Sequence, residues 1–71
     1  MQIWQADFYR RPLRDETGKP LWELLICDAA RSFEFSAFCS QSQANSTWLA
    51  SQLQQQIQIH KKPDRLQVFR P

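Results

Sequence analysis

Two apolar stretches flank the chain's only glycine, Gly18, and no other feature constrains the fold as tightly. From Trp4 to Asp28 the sequence reads Trp4-x-x-Asp7-Phe8-x-x-Arg11-Pro12-x-x-Asp15-x-x-Gly18-Lys19-x-x-Trp22-Glu23-Leu24-x-x-Cys27-Asp28. Residues 3–10 are rich in aromatic and β-favouring side chains and read as a strand. Alternation gives Trp4, Ala6 and Phe8 one face and Gln5, Asp7 and Tyr9 the other. Pro12 has no backbone N–H to donate, so it ends clean pairing or confines it to an edge. Asp15-Glu16-Thr17-Gly18 then makes a hairpin tip, with Gly18 in the left-handed conformation. Residues 21–28 are apolar at nearly every position except Glu23, which predicts a central strand buried on both faces. A tight register brings Glu23 near Arg10 or Arg11 as a cross-strand ion pair.

Beyond a short turn at Ala29-Ala30-Arg31-Ser32, residues 33–39 read as a third strand. Phe33, Phe35 and Ala37 face one way; Glu34, Ser36 and Phe38 face the other. A helix follows over residues 43–60, which contain neither Pro nor Gly. Ser40 with Gln43 has the spacing of a capping box, and Ser42 is the alternative cap. Leu49, Ala50, Leu53 and Ile57 form the core stripe, with Ser46 at its edge. Lys61-Lys62-Pro63-Asp64 breaks the helix with a basic end that suits its dipole. Residues 65–70 read as a last strand with Leu66 and Val68 on one face. The resulting class is α+β in the order β-β-β-α-β: a three-stranded antiparallel meander, one helix packed on one sheet face, and a fourth strand. If that strand joins the same sheet, a right-handed crossover makes it parallel to its neighbour.

A chain of 71 residues makes one domain near the lower limit for a self-sufficient core. A partner subunit or a downstream domain would therefore help it. Ending directly after the last strand, residues 1–71 read as the N-terminal piece of a longer protein. The net charge of +2 and pI near 8.8 permit nucleic-acid contact without compelling it. No run approaches the ~20 apolar residues of a membrane span, and residues 1–5 lack the basic and apolar regions of a secretion signal. A bacterial cytoplasmic protein is the expectation, and Cys27 and Cys39 are then small buried hydrophobes rather than a disulfide.

Convergent acids, bases and nucleophiles are thin, which argues against an enzyme. The best carboxylates are Asp7, Asp15, Glu23 and Asp28, and His60 is the sole histidine. A hydrolase using Asp7 and Asp28 would have no base, nucleophile or metal set beside it. His60 is better placed to close the helix C-terminus. No Cys/His set has metal-ligand spacing and no glycine-rich phosphate loop exists, so no metal or cofactor is expected.

Two binding surfaces are candidates. Arg10, Arg11, Arg14 and Lys19, with Arg31, cluster at sheet ends and loops and could contact phosphates, while Lys61, Lys62 and Arg65 form a second group. Trp4, Phe8, Tyr9, Trp22 and Phe38 are candidate stacking platforms, most of which a small core must claim. The other surface is the helix flank of Trp48, Gln52, Gln55 and Ile59. An off-stripe tryptophan beside neutral glutamines suits protein contact, as in self-association.

At the hairpin the chain resembles the N-terminal domain of the Tab/Atab family of cyanobacterial and chloroplast RNA-binding proteins. The match is carried by Trp4, Asp7, Phe8, Arg11, Pro12, Asp15, Gly18, Lys19, Trp22 to Leu24, Cys27 and Asp28. Asn45-Ser46 and Val68-Phe69-Arg70 also fit, whereas Gln5-Ala6 replaces the Glu-Leu common between the first Trp and Asp. The resemblance implies a non-enzymatic role in translation of a photosystem I subunit and in photosystem biogenesis. It also implies a C-terminal domain in the full-length protein, with a plastid-stroma location for plant relatives. The partner expected on this basis is single-stranded, A/U-rich RNA. A homodimer is the alternative partner.

Overall fold

The computed structural model describes residues 1–30 and 32–69. Four strands, β1 (Ile3–Arg14), β2 (Pro20–Asp28), β3 (Glu34–Ser40) and β4 (Arg65–Phe69), form one sheet in the order β3-β2-β1-β4. A single α-helix, α1 (Ser46–His60), connects β3 to β4. β1–β2 and β2–β3 are antiparallel, as the meander requires. β4 adds to the far side of β1 in parallel, so the whole sheet is mixed rather than purely antiparallel. The reason lies in the connection: α1 carries the chain across β2 and β1 instead of letting it turn back beside β3.

The hairpin forms as its residues dictate. Gly18 has φ +82°, and its N–H donates to the Asp15 carbonyl at 3.0 Å. The Asp15 carboxylate accepts from the Thr17 N–H, the Thr17 hydroxyl and the Lys19 N–H at 2.8, 2.6 and 3.0 Å. These bonds hold its pKa below the usual carboxylate value, the Thr17 hydroxyl most of all. Pro12 does not end β1, which runs on to Arg14. Pairing skips from Arg10↔Trp22 to Arg14↔Pro20, so β1 has extra residues where Pro12 needs no ladder bond.

Register assigns the faces. Trp4, Ala6 and Phe8 pair with Asp28, Ile26 and Leu24, and the last two pair onward with Phe35 and Ala37. This face lies under α1, and its core is Trp4, Ala6, Phe8, Leu24, Ile26, Cys39, Leu49 and Leu53. The opposite face carries Gln5, Asp7, Tyr9, Glu23, Leu25, Cys27, Ser36 and Phe38, and no described element covers it. β2 is therefore not buried on both faces. Leu21, Leu25 and Cys27 are half-buried, shielded only by neighbouring side chains.

α1 begins later than the sequence suggests. Ser40 and Gln43 do bond, with the Ser40 N–H donating to Gln43 Oε1 at 3.1 Å, but they head a one-turn 3-10 segment, Gln41–Gln43. The true cap is Asn45, whose Oδ1 accepts from the Trp48 N–H at 3.0 Å. The buried stripe is also rotated. Leu49, Leu53 and Gln56 are buried, Trp48, Gln52 and Ile57 are half-buried, and Ala50 faces solvent. Trp48 is thus not on a second face: its ring lies 6.1 Å from that of Phe8. Turning a large indole inward removes far more apolar surface from water than turning in an Ala methyl. Gln56 is carried into the interior with it.

At the other end His60 stacks on Phe33, with ring centroids 4.2 Å apart and planes 10° apart, and meets Trp4 edge-on at 6.4 Å. The carboxylate of Asp28 closes the same end of the sheet. It accepts from Ala30 N–H at 2.8 Å, Ser32 Oγ at 2.5 Å and Gln2 Nε2 at 3.1 Å. Led by the Ser32 hydroxyl, these bonds lower its pKa. Arg31, expected in the turn after the second strand, and Arg70, expected at the end of the last strand, lie outside the described residues.

Candidate nucleic-acid interface

The four basic residues marked by the sequence line two grooves at the hairpin end of the sheet. Arg10, Arg11 and Arg14 line one groove with Pro12, Leu13 and Pro20, about 270 Å³ in volume. Lys19 lies instead in a groove with Asp15, Thr17, Ser40, Gln41 and Ser42. The irregular pairing at Pro12 brings the arginines together, because the extra residues in β1 bend the strand end and redirect its side chains.

Their chemical states differ. Arg11 Nε and Nη2 both donate to Glu23 Oε1, at 2.8 and 2.6 Å, which is the cross-strand ion pair expected from the register. Arg14 Nη1 donates to the Gly18 carbonyl at 2.7 Å, bracing the hairpin while leaving its other N–H groups outward. Arg10 and Lys19 are exposed, and among the described residues neither side chain has an ion-pair partner. Lys61, Lys62 and Arg65 are exposed at the opposite end of the sheet, where Arg65 pairs with Ile3. By contrast α1 carries no Lys, Arg, Asp or Glu.

The aromatic candidates divide by face. Trp4 and Phe8 are core, and Trp22 packs against it. Tyr9 and Phe38 are 40% and 52% exposed, and both lie on the uncovered face. The register aligns Tyr9, Glu23 and Phe38 in one row across β1, β2 and β3. The Arg11 guanidinium carbon lies 5.0 Å from the centre of the Tyr9 ring. The negative charge of Asp7 raises the Tyr9 phenol above its ordinary pKa. Sequence reasoning named Tyr9 and Phe38 among five aromatics. Their position out of phase with Trp4 and Leu24 was the signal that could have separated them.

Asp7 and Asp28 face opposite sides of the sheet, since Asp7 pairs with Leu25 and Asp28 with Trp4. They do not converge on a common substrate. Cys27 and Cys39 also lie on opposite faces and both are free thiols, with burial raising the pKa of Cys39. Among the described residues no three His, Cys, Asp or Glu side chains gather as a metal site would need. None of the described helices is long and apolar enough to cross a membrane. On the helix flank, Trp48 and Gln52 turn partly inward, whereas Gln55 and Ile59 are exposed.

A mixed four-stranded sheet roofed by one helix defines a small α+β domain. The chain belongs to the Tab2/Atab2 N-terminal family: the model described as "RNA-binding protein Tab2/Atab2 N terminal" matches residues 3–71. It is similar to "Protein TAB2 homolog, chloroplastic" of Zea mays, 36% identical over 69 residues, covering 94% of this chain and 18% of that protein. The protein of the same description from Arabidopsis thaliana is 39% identical over 46 residues, 65% of this chain and 12% of its own length. The chain thus spans less than a fifth of the relatives it matches. No solved structure matches it.

Proposed function

We propose that this chain is a non-enzymatic RNA-binding domain of a longer, translation-related protein that supports photosystem biogenesis. Its partner is single-stranded, A/U-rich RNA, met on the uncovered sheet face and its basic rim. The observation that carries this reading is the groove of Arg10, Arg11 and Arg14 at the end of the sheet, with Arg11 on the face that exposes Tyr9 and Phe38 and Arg10 beside it on the Trp22 side. Phosphates have cations there and unpaired bases have rings beside them. Arg11 shares its charge with Glu23, so the net attraction comes chiefly from Arg10, Arg14 and Lys19. The family's own description as RNA-binding supports the same partner. The relatives described as chloroplastic support a plastid-stroma setting for the plant members, and the bacterial cytoplasm is the corresponding setting we propose for this chain.

Fluorescence anisotropy with a labelled A/U-rich single strand, applied to this chain and to the full-length protein, tests the reading. Binding that weakens with salt is expected; no shift by either protein at low salt would remove it.

A second reading, docking onto the C-terminal domain or onto a second copy, is favoured by Ile59, which is 69% exposed on α1. Sedimentation of the chain and of Ile59→Ala, alone and with the C-terminal part, separates the two readings. A monomer that docks nowhere counts against the second.

A further inference from the structure

Away from the basic rim, the uncovered face holds a second, differently built feature. Gln5, Asp7 and Tyr9 follow one another along β1 and, with Leu25 and Cys27 of β2, enclose a depression of about 290 Å³. Its floor is apolar and one wall is an aromatic ring. Arg11, which lies over the Tyr9 ring, is absent from the lining, and Glu23 holds it in place. Phe38 stands two strands from Tyr9, roughly 10 Å away by the ordinary strand spacing. The polar groups lean toward acceptors, with the Tyr9 hydroxyl beside Asp7 as a donor. The Asp7 carboxylate offers only acceptors. The Gln5 amide leans its Nε2 toward Gln67 Oε1 at 3.4 Å, which leaves its own oxygen available.

An apolar floor, a ring wall and an acceptor-rich edge have the chemistry of a nucleobase seat, not a phosphate seat. A phosphate would meet the Asp7 charge unfavourably, so the backbone is left to the arginines at the end of the sheet. Resting on the reading of the chain as RNA-binding, we propose that Gln5, Asp7 and Tyr9 form a base-reading subsite. It takes an unpaired base bearing an exocyclic amino group, stacked against Tyr9 and donating that amine to Asp7 and Gln5. Adenine and cytosine present an N–H₂ donor where uracil presents a carbonyl oxygen. Uracil would set that oxygen against the carboxylate and keep only its single N3–H to donate, where adenine and cytosine offer an amino group. Within an A/U-rich strand the subsite therefore reads the adenines, while the rim holds any sequence.

The test is anisotropy with labelled rA10, rC10 and rU10 on the whole chain, at one fixed salt concentration. Wild type is expected to bind rA10 and rC10 about tenfold more tightly than rU10, the size of one good base-edge contact. Asp7→Asn, which removes the charge and puts an NH2 donor in place of one of the two acceptor oxygens, should bring the ratio close to one and leave the salt dependence unchanged. Equal binding of all three by wild type overturns this proposal while leaving RNA binding intact, as does a ratio that survives in a folded Asp7→Asn. Failure to bind any of the three at low salt, by this chain and by the full-length protein alike, removes both readings together. Should Asp7→Asn not fold, NMR on wild type decides. Added rA10 should move the Tyr9 ring and Cys27 signals, and shifts confined to α1 would overturn the proposal.

Discussion

Leu24 and Leu25 are chemically identical neighbours on β2, yet the sheet turns one under α1 and the other to the open face. Leu24 is fully buried, at 0% exposure, between Phe8 of β1 and Ala37 of β3 in the register. Leu24→Ala should leave a sealed cavity and cost about 3 kcal/mol, in the usual range of roughly 2–5 for such truncations. A domain of this length has a total stability of only about 4–10 kcal/mol. The midpoint of thermal unfolding should therefore fall by roughly 12–24 °C, at about 4–8 °C per kcal/mol. Leu25 is half-buried beneath nothing but its neighbours' side chains, so truncation removes apolar contact without enclosing a void. Leu25→Ala should cost only about 1 kcal/mol. Urea titration followed by tryptophan fluorescence gives both values on one scale, provided the m-values agree. Equal losses at the two positions would mean that both faces of β2 are covered, and would refute the one-sided sheet.

Three smaller tests probe individual contacts. A double-mutant cycle on Arg11→Ala and Glu23→Ala should give a coupling of about 1 kcal/mol, the upper end for a partly exposed pair; zero coupling would mean the pair is incidental. Lys61 holds φ at +71° at the end of α1, so Lys61→Gly should raise stability by up to about 1 kcal/mol, and a loss would show the side chain has a contact that outweighs the strain. The lowered pKa of Asp28 stabilises the fold above the ordinary carboxylate value. That contribution drains away as pH falls below about 3.8 toward the folded value. Asp28→Asn should accordingly flatten the acid limb of the stability profile, and an unchanged limb would contradict its role at the sheet end.

The hairpin was readable because its signals are local. Gly18, Asp15 and the two strand patterns each act within a few residues, and the Arg11–Glu23 pair follows directly from the register they set. The parallel addition of β4 to β1 was foreseen only conditionally, since nothing local says which edge a returning strand will choose. The helix was misread by part of a turn. Its apolar positions are few and a tryptophan at the edge of the stripe shifts the balance, so Leu49 and Leu53 were identified while Gln56 was not and Ala50 was wrongly placed inside. The continuous apolarity of residues 21–28 suggested two-sided burial. In fact Leu25 and Cys27 form the apolar floor of a depression on the bare face. Of the candidate site, the arginines were visible as charges, but their grouping depends on the irregular pairing at Pro12. Lys19 belongs elsewhere because the hairpin tip carries it to a separate groove.

The central claim is that the basic rim contacts RNA phosphates, and the slope of log affinity against log salt measures that count directly. With Arg11 largely occupied by Glu23, Arg10, Arg14 and Lys19 should together contribute a slope of about −2, at roughly −0.7 per phosphate for a single strand. Changing these three to Ala should remove most of that slope in a protein that still unfolds cooperatively, its midpoint lowered only by the loss of the Arg14 bond to the Gly18 carbonyl. A wild-type slope near zero, or one that the triple variant retains, would contradict the account.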